Sequence, residues 1–206
     1  KLDGNYPTGT GNVALGDLAL SSGSLSGGNN TVIGRSVGAA NTSGADNTGV
    51  GSFSLCANIS GASNTAVGRS ALRANTTGGC NTAVGASALC SNTTGTDNTA
   101  IGIDALVANT TAINNTAVGK NALCKNTTGA SNVSVGKNSI RCNTTGDSNV
   151  AVGCGALNKN TTADNNTAVG QSALLNNTTG AGNVAVGANA LDSNTTGNNN
   201  IGVGAS

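Results

Sequence analysis

Histidine, methionine, tryptophan and glutamate are missing from this 206-residue chain, and Tyr6, Pro7 and Phe53 are each the sole residue of their type. Without His or Glu the commonest general base is gone and no carboxylate pair recurs, which speaks against an enzyme. The near-absence of aromatics removes the side chains that bury the most area in ordinary cores. Val, Ala and Leu must form the interior, so any core is narrow. Charge is also scarce and balanced: nine Lys and Arg against eight Asp, a net charge of +1. That excludes an electrostatic nucleic-acid binder. No apolar run approaches membrane-spanning length, so no membrane insertion is expected, and no signal peptide is visible. The first residue is Lys1 rather than Met, which suggests a processed chain or part of a longer one. The six cysteines form no CxxC or Cys/His spacing, and the Asp residues do not recur in every unit as calcium-binding rolls require. No metal or other cofactor is expected.

What is present is repetition. "NTAVGRSALRANTTGGC" (Asn64 to Cys80) is followed at once by "NTAVGASALCSNTTGTD". With the Asn of NTAVG as position 1, copies begin at residues 12, 30, 47, 64, 81, 98, 115, 132, 149, 166, 183 and 200. The spacing is 17 throughout, except for an 18-residue first unit. Strict spacing of aliphatic residues argues against a disordered low-complexity tract. A short regular period means a solenoid, because one unit cannot bury its own apolar face. The two large aliphatics of each unit do not offset the entropy of ordering it, so neighbouring coils must supply the rest. The expected fold is all-β: a parallel β-solenoid with one coil per repeat and about 12 coils. Residues 1–11 form a lead-in and 12–206 the repeat domain. At about 4.8 Å per coil the rod is on the order of 50 Å long.

The columns of the repeat suggest individual roles. Position 2 is always β-branched and position 4 always aliphatic, flanking a small residue at position 3. This alternation reads as a short strand with positions 2 and 4 inside. Position 9, Leu in most copies, supplies a second core column. The expected core therefore includes Thr65, Val67, Leu72, Thr82, Val84, Leu89, Val118 and Leu123. Position 5 is Gly in every copy (Gly68, Gly85, Gly102 and Gly119 in the central coils), which implies positive φ or close backbone approach. The segment NTTG closes the coil with residues that tolerate left-handed angles. Its Asn (Asn75, Asn92, Asn109, Asn126), like the Asn at position 1, is expected to stack into a hydrogen-bonded ladder.

The unit N-T/V-A-V-G-x-x-A-L resembles the N-S-V-A-I-G repeat of trimeric autotransporter adhesin heads. The longer NTAVGxxALxxNTTG form is similar to repeats of phage tail-fibre-type proteins. The resemblance covers residues 12–206 and implies a left-handed β-roll that assembles as a trimer. This unit is longer than the adhesin unit, and it carries cysteines.

Function is expected to be that of a structural or adhesive extracellular fibre segment, on a cell or virion surface. Such a segment self-assembles laterally or end to end through its open coil ends, and a host-surface or glycan receptor is a possible partner. The alternative is an ice-binding solenoid. Its candidate ranks are Thr76, Thr93, Thr110, Thr127 and Thr144, with Thr77, Thr94, Thr111, Thr128 and Thr145 beside them. At most one of the two faces outward if the segment is extended. Cys56, Cys90 and Cys124 share position 10 two coils apart, beyond disulfide reach. Cys124 and Cys142 are the one plausible intrachain pair, and the alternatives are free thiols or cross-links between subunits. The NTT and NTS sequons, Asn41 and Asn75 through Asn194, read either as glycosylation sites or as ladder residues. Lys120, Lys125, Lys137, Arg141 and Lys159 read as a solvated face or as a basic patch for an anionic glycan or lipid surface.

Overall fold

A computed structural model describes residues 10–205; of the expected lead-in, residues 1–9 lie outside it. Twelve three-residue strands, β1 (Val13–Leu15) to β12 (Ile201–Val203), occupy positions 2–4 of successive repeats. They form one parallel sheet in sequence order, each strand paired with the next at identical repeat positions. The chain is thus a parallel β-solenoid with one coil per repeat. Pairing extends beyond the strands. The position 9 amide of Leu72 donates to the Ala88 carbonyl of the following coil, while the position 7 amide of Ser70 donates to Ser52 of the preceding one.

The phase of the strand is the reverse of the expectation. Thr65, Val67, Thr82, Val84 and Val118 are only half-buried, whereas the Ala between them (Ala66, Ala83, Ala117) is fully buried. Positions 2 and 4 therefore form the outer surface of the sheet and position 3 faces in. The cause is the width of the interior. Leu72, Leu89 and Leu123 are fully buried on the opposite wall beside Ala71, Ala88 and Ala122, leaving room for little more than a methyl group beneath the strand. A Cβ added at Gly202 (position 3) would lie only 2.7 Å from Cγ of Leu191. Where the Leu is missing, at Gly38, the space is filled by Val32 at position 3 and Val37 at position 8, both buried. In the eighth coil the paired substitution is polar: Ser134 and Ser139 hydrogen-bond to each other across the interior.

Backbone twist is concentrated at four positions of the repeat. Gly68 has φ 134° and Gly85 138°, and residues 7, 9 and 17 are left-handed, as at Ser70 (60°), Leu72 (50°) and Cys80 (56°). Asn and Asp, which share positions 7 and 17 with Ser, visit this region most readily among residues with a Cβ. Leu does not, and its left-handed backbone costs about 1–2 kcal/mol, a strain opposed by complete burial of its side chain. The NTTG turn is not left-handed. Its position 15 is crowded instead: a Cβ at Gly78 would lie 2.6 Å from Oδ1 of Asn75 and 3.0 Å from Nδ2 of Asn92, so only Gly or the small Ala112 and Ala163 stand there.

Two amide ladders lock the remaining corner. Asn92 (position 12) donates from Nδ2 to Oδ1 of Asn75 at 2.8 Å and to the Gly95 carbonyl at 3.0 Å. Asn81 (position 1) donates to that same Gly95 carbonyl at 2.8 Å and to Oδ1 of Asn64 at 3.2 Å. Both columns are buried, and among the described residues no buried side-chain N or O atom lacks a hydrogen-bond partner.

Substitutions at Asn92 and Gly85 test this assignment. Asn92→Ala leaves Oδ1 of Asn75 without its donor and Nδ2 of Asn109 without one of its acceptors, and should cost roughly 2–4 kcal/mol in urea unfolding, since each orphaned buried group costs about 1–3 kcal/mol. Asn92→Asp should be worse, because it sets acceptors against the acceptors of Asn75 and Gly95. Gly85→Ala carries backbone strain of about 1–3 kcal/mol. It also places a methyl group 2.5 Å from the Gly102 carbonyl, so it should lower the urea midpoint further than Ala86→Gly beside it.

Candidate functional site

With Ala, Leu and Asn turned inward, the surface is written by positions 2, 4, 6, 10, 11, 13, 14, 16 and 17. The outer face of the sheet carries two columns. Position 2 holds Thr in six consecutive coils, from Thr31 to Thr116; position 4 runs from Leu15 through Val84 and Ile101 to Val203. None of these 24 side chains is charged. Ile33 and Ile101 remain about two-fifths exposed although they sit within the sheet.

The two Thr ranks of the NTTG segment separate. Position 13 is half-buried, and its hydroxyls donate to the next coil's backbone, as Thr76 does to the Thr93 carbonyl at 3.0 Å. Its members Thr93, Thr110, Thr127 and Thr144 do the same. Position 14 (Thr77, Thr94, Thr111, Thr128, Thr145) is exposed. The outward rank is therefore position 14. The Asn before these threonines is closed to modification: Asn75, Asn92, Asn109, Asn126, Asn143, Asn160 and Asn177 are fully buried, so a folded roll does not present these sequons to a glycosyltransferase.

Position 10 forms a column of alternating chemistry. Cys56, Arg73 and Cys90 follow one another on adjacent coils, and Cys124 is followed by Arg141. The first three line an open groove of about 480 Å³ with Ala57, Ala74 and Ser91. All six cysteines are free thiols, Cys80 and Cys154 exposed and the others half-buried. Cys124 donates from Sγ to the Arg141 carbonyl at 3.7 Å rather than meeting Cys142. Burial pushes the Cys90 thiol up from its ordinary 9.0, against the opposing pull of Arg73 and Arg69. Burial does the same at Cys124, against Arg141. Lys120, Lys125, Lys137, Arg141 and Lys159 are all exposed and lie within three coils of one another. Arg35 stacks over the ring of Phe53, 5.3 Å from its centroid. Among the described residues no three His, Cys, Asp or Glu side chains gather to hold a metal ion. The position-10 groove is not apparent from the Cys row alone, which reads equally as free thiols or cross-links; the Arg that alternates with it is the signal.

Thiolate is the reacting species in alkylation, and a raised pKa keeps the thiol protonated further into the alkaline range. With iodoacetamide read by peptide mass spectrometry at pH 8, Cys80 and Cys154 should react first. Labelling of Cys90 and Cys124 should be slow and still rising above pH 9. No family model, no curated protein and no solved structure matches this chain.

Proposed function

We propose that this chain is a segment of an extracellular structural or adhesive fibre, carried on a cell or virion surface and self-assembling laterally or end to end. The observation that carries the reading is the division of the repeat. Inward positions scarcely change across twelve coils, whereas positions 6, 10, 11, 16 and 17 vary freely around a continuous rod. Such a rod extends a surface, and repeated weak contacts along it bind by multivalency. A host-surface or glycan receptor would then be met by the varying positions. The cluster from Lys120 to Lys159 offers an anionic glycan its charge complement. A catalytic role finds no support in a chain without His or Glu. The resemblance to trimeric adhesin heads favours lateral bundling into trimers. Negative-stain microscopy of native material should show bundles or filaments; single rods at every concentration would overturn the reading.

An ice-binding solenoid is the second reading, favoured by one observation: the outward Thr run from Thr31 to Thr116 on a regular parallel sheet. Thermal hysteresis in dilute solution is the expected outcome if it holds, and freezing at the colligative point would remove it.

A further inference from the structure

The uncharged outer face of the sheet is framed by charge of opposite sign along its two long edges. Position 6 follows the end of each strand, and it carries Arg35, Arg69, Lys120 and Lys137, with Asp17 of the first coil the one acid in that column. The other described cations lie beyond it, at positions 10 and 11. Positions 16 and 17 lead into the strand from its other end, and they carry Asp46, Asp97, Asp147 and Asp164 but no Lys or Arg. The acids are held along that edge by hydrogen bonds to the preceding coil. Asp147 accepts from the Ala130 amide at 2.6 Å, Asp164 from the Asp147 amide at 2.7 Å, and Asp46 from Nδ2 of Asn29 at 3.1 Å.

We propose that this face is the contact between two copies of the chain, packed sheet to sheet with roll axes parallel and strands antiparallel, about a twofold axis running along the rolls. The proposal rests on the self-assembly reading above, but sets a pair of chains in place of the trimer that the adhesin resemblance suggests. Two observations select this occupant. The first is area. Twelve strands at about 4.8 Å and a face about 10 Å wide bury roughly 1,100–1,200 Å² over both copies, which reaches the range of specific interfaces.

The second observation is charge. Face-to-face copies with antiparallel axes would set acid edge on acid edge and basic edge on basic edge. Parallel axes set each acid edge against the partner's basic edge. The uncharged columns repeat every coil and would tolerate slippage by whole coils, so the edges must fix the axial register. With no slip, each position 6 cation has an acid of the opposite edge within one coil. Arg35 and Arg69 flank the level of Asp46, Lys120 lies one coil beyond Asp97, and Lys137 one coil before Asp147. Asp104 facing Asp97 is the like-charge exception, and Lys120 adjoins both.

Sedimentation equilibrium of the full chain should give a particle of twice 19.5 kDa. The double variant Val84→Lys/Val118→Lys changes only outward side chains and should sediment as a monomer with its far-UV spectrum unchanged. Lys120→Glu/Lys137→Glu makes both edges acidic at the seventh and eighth strands, and Asp147→Lys/Asp164→Lys makes the acid edge basic at the ninth and tenth strands. Each alone should lose dimer, and mixing the two should restore it as a heterodimer. A trimer, a dimer that survives Val84→Lys/Val118→Lys, or no recovery on mixing would overturn the proposal while leaving self-assembly standing. A wild-type chain monomeric at every concentration would remove both.

Discussion

Two asparagine side chains converge on one carbonyl in the second to ninth coils and again in the eleventh, and the rest of the roll depends on that junction. The position 15 carbonyl cannot reach another strand, because it sits where the chain turns between the wall and the sheet. Asn at position 12 reaches it from one side and Asn at position 1 of the same coil from the other. Each of these amides also bonds its counterpart one coil away. A buried corner that would otherwise leave polar groups unpaired is thereby closed, and neighbouring coils are held in a single register. The Gly or Ala at position 15 and the constant period of 17 follow from the same geometry.

Because polar ladders close one end of the cross-section, the apolar interior is small. One Leu and two Ala per coil fill it, and the chain manages with almost no aromatic residue. The left-handed Leu at position 9 belongs to the same constraint. The turn that begins at the position 5 glycine must bring that side chain inward within four residues, and the strained backbone is what achieves it. With a wall so thin, the described surface is made of faces, edges and the open groove of position 10.

The period, the buried Leu column, the Gly bend and the Asn ladders were legible in the sequence because each rests on one residue type recurring at one position of the repeat. The phase of the strand was not. Thr65-Ala66-Val67 alternates either way round, and hydrophobicity alone favours the two large residues inside. What decides is the depth left by Leu72 across the roll, a tertiary quantity. The compensation of Gly38 by Val32 and Val37, and the pairing of Ser134 with Ser139, were signals of that depth: positions 3, 8 and 9 change together. The role of Thr76 was also hidden, since a hydroxyl bonded to the coil above looks the same in sequence as one facing water. Inverting the strand also changed the surface. It moved Thr and Val outward and created the uncharged face between the acidic and basic edges.

The account stands on the two amide ladders as the interior support of the roll. Hydrogen–deuterium exchange of the Asn side-chain amides, followed by NMR, tests it most directly. The Nδ2 protons of Asn75, Asn81, Asn92 and Asn98 should exchange as slowly as the backbone amides of Ala83 and Ala100 in the adjoining strands. Exchange of these side chains at the rate of free asparagine, while the strand amides stay protected, would contradict it.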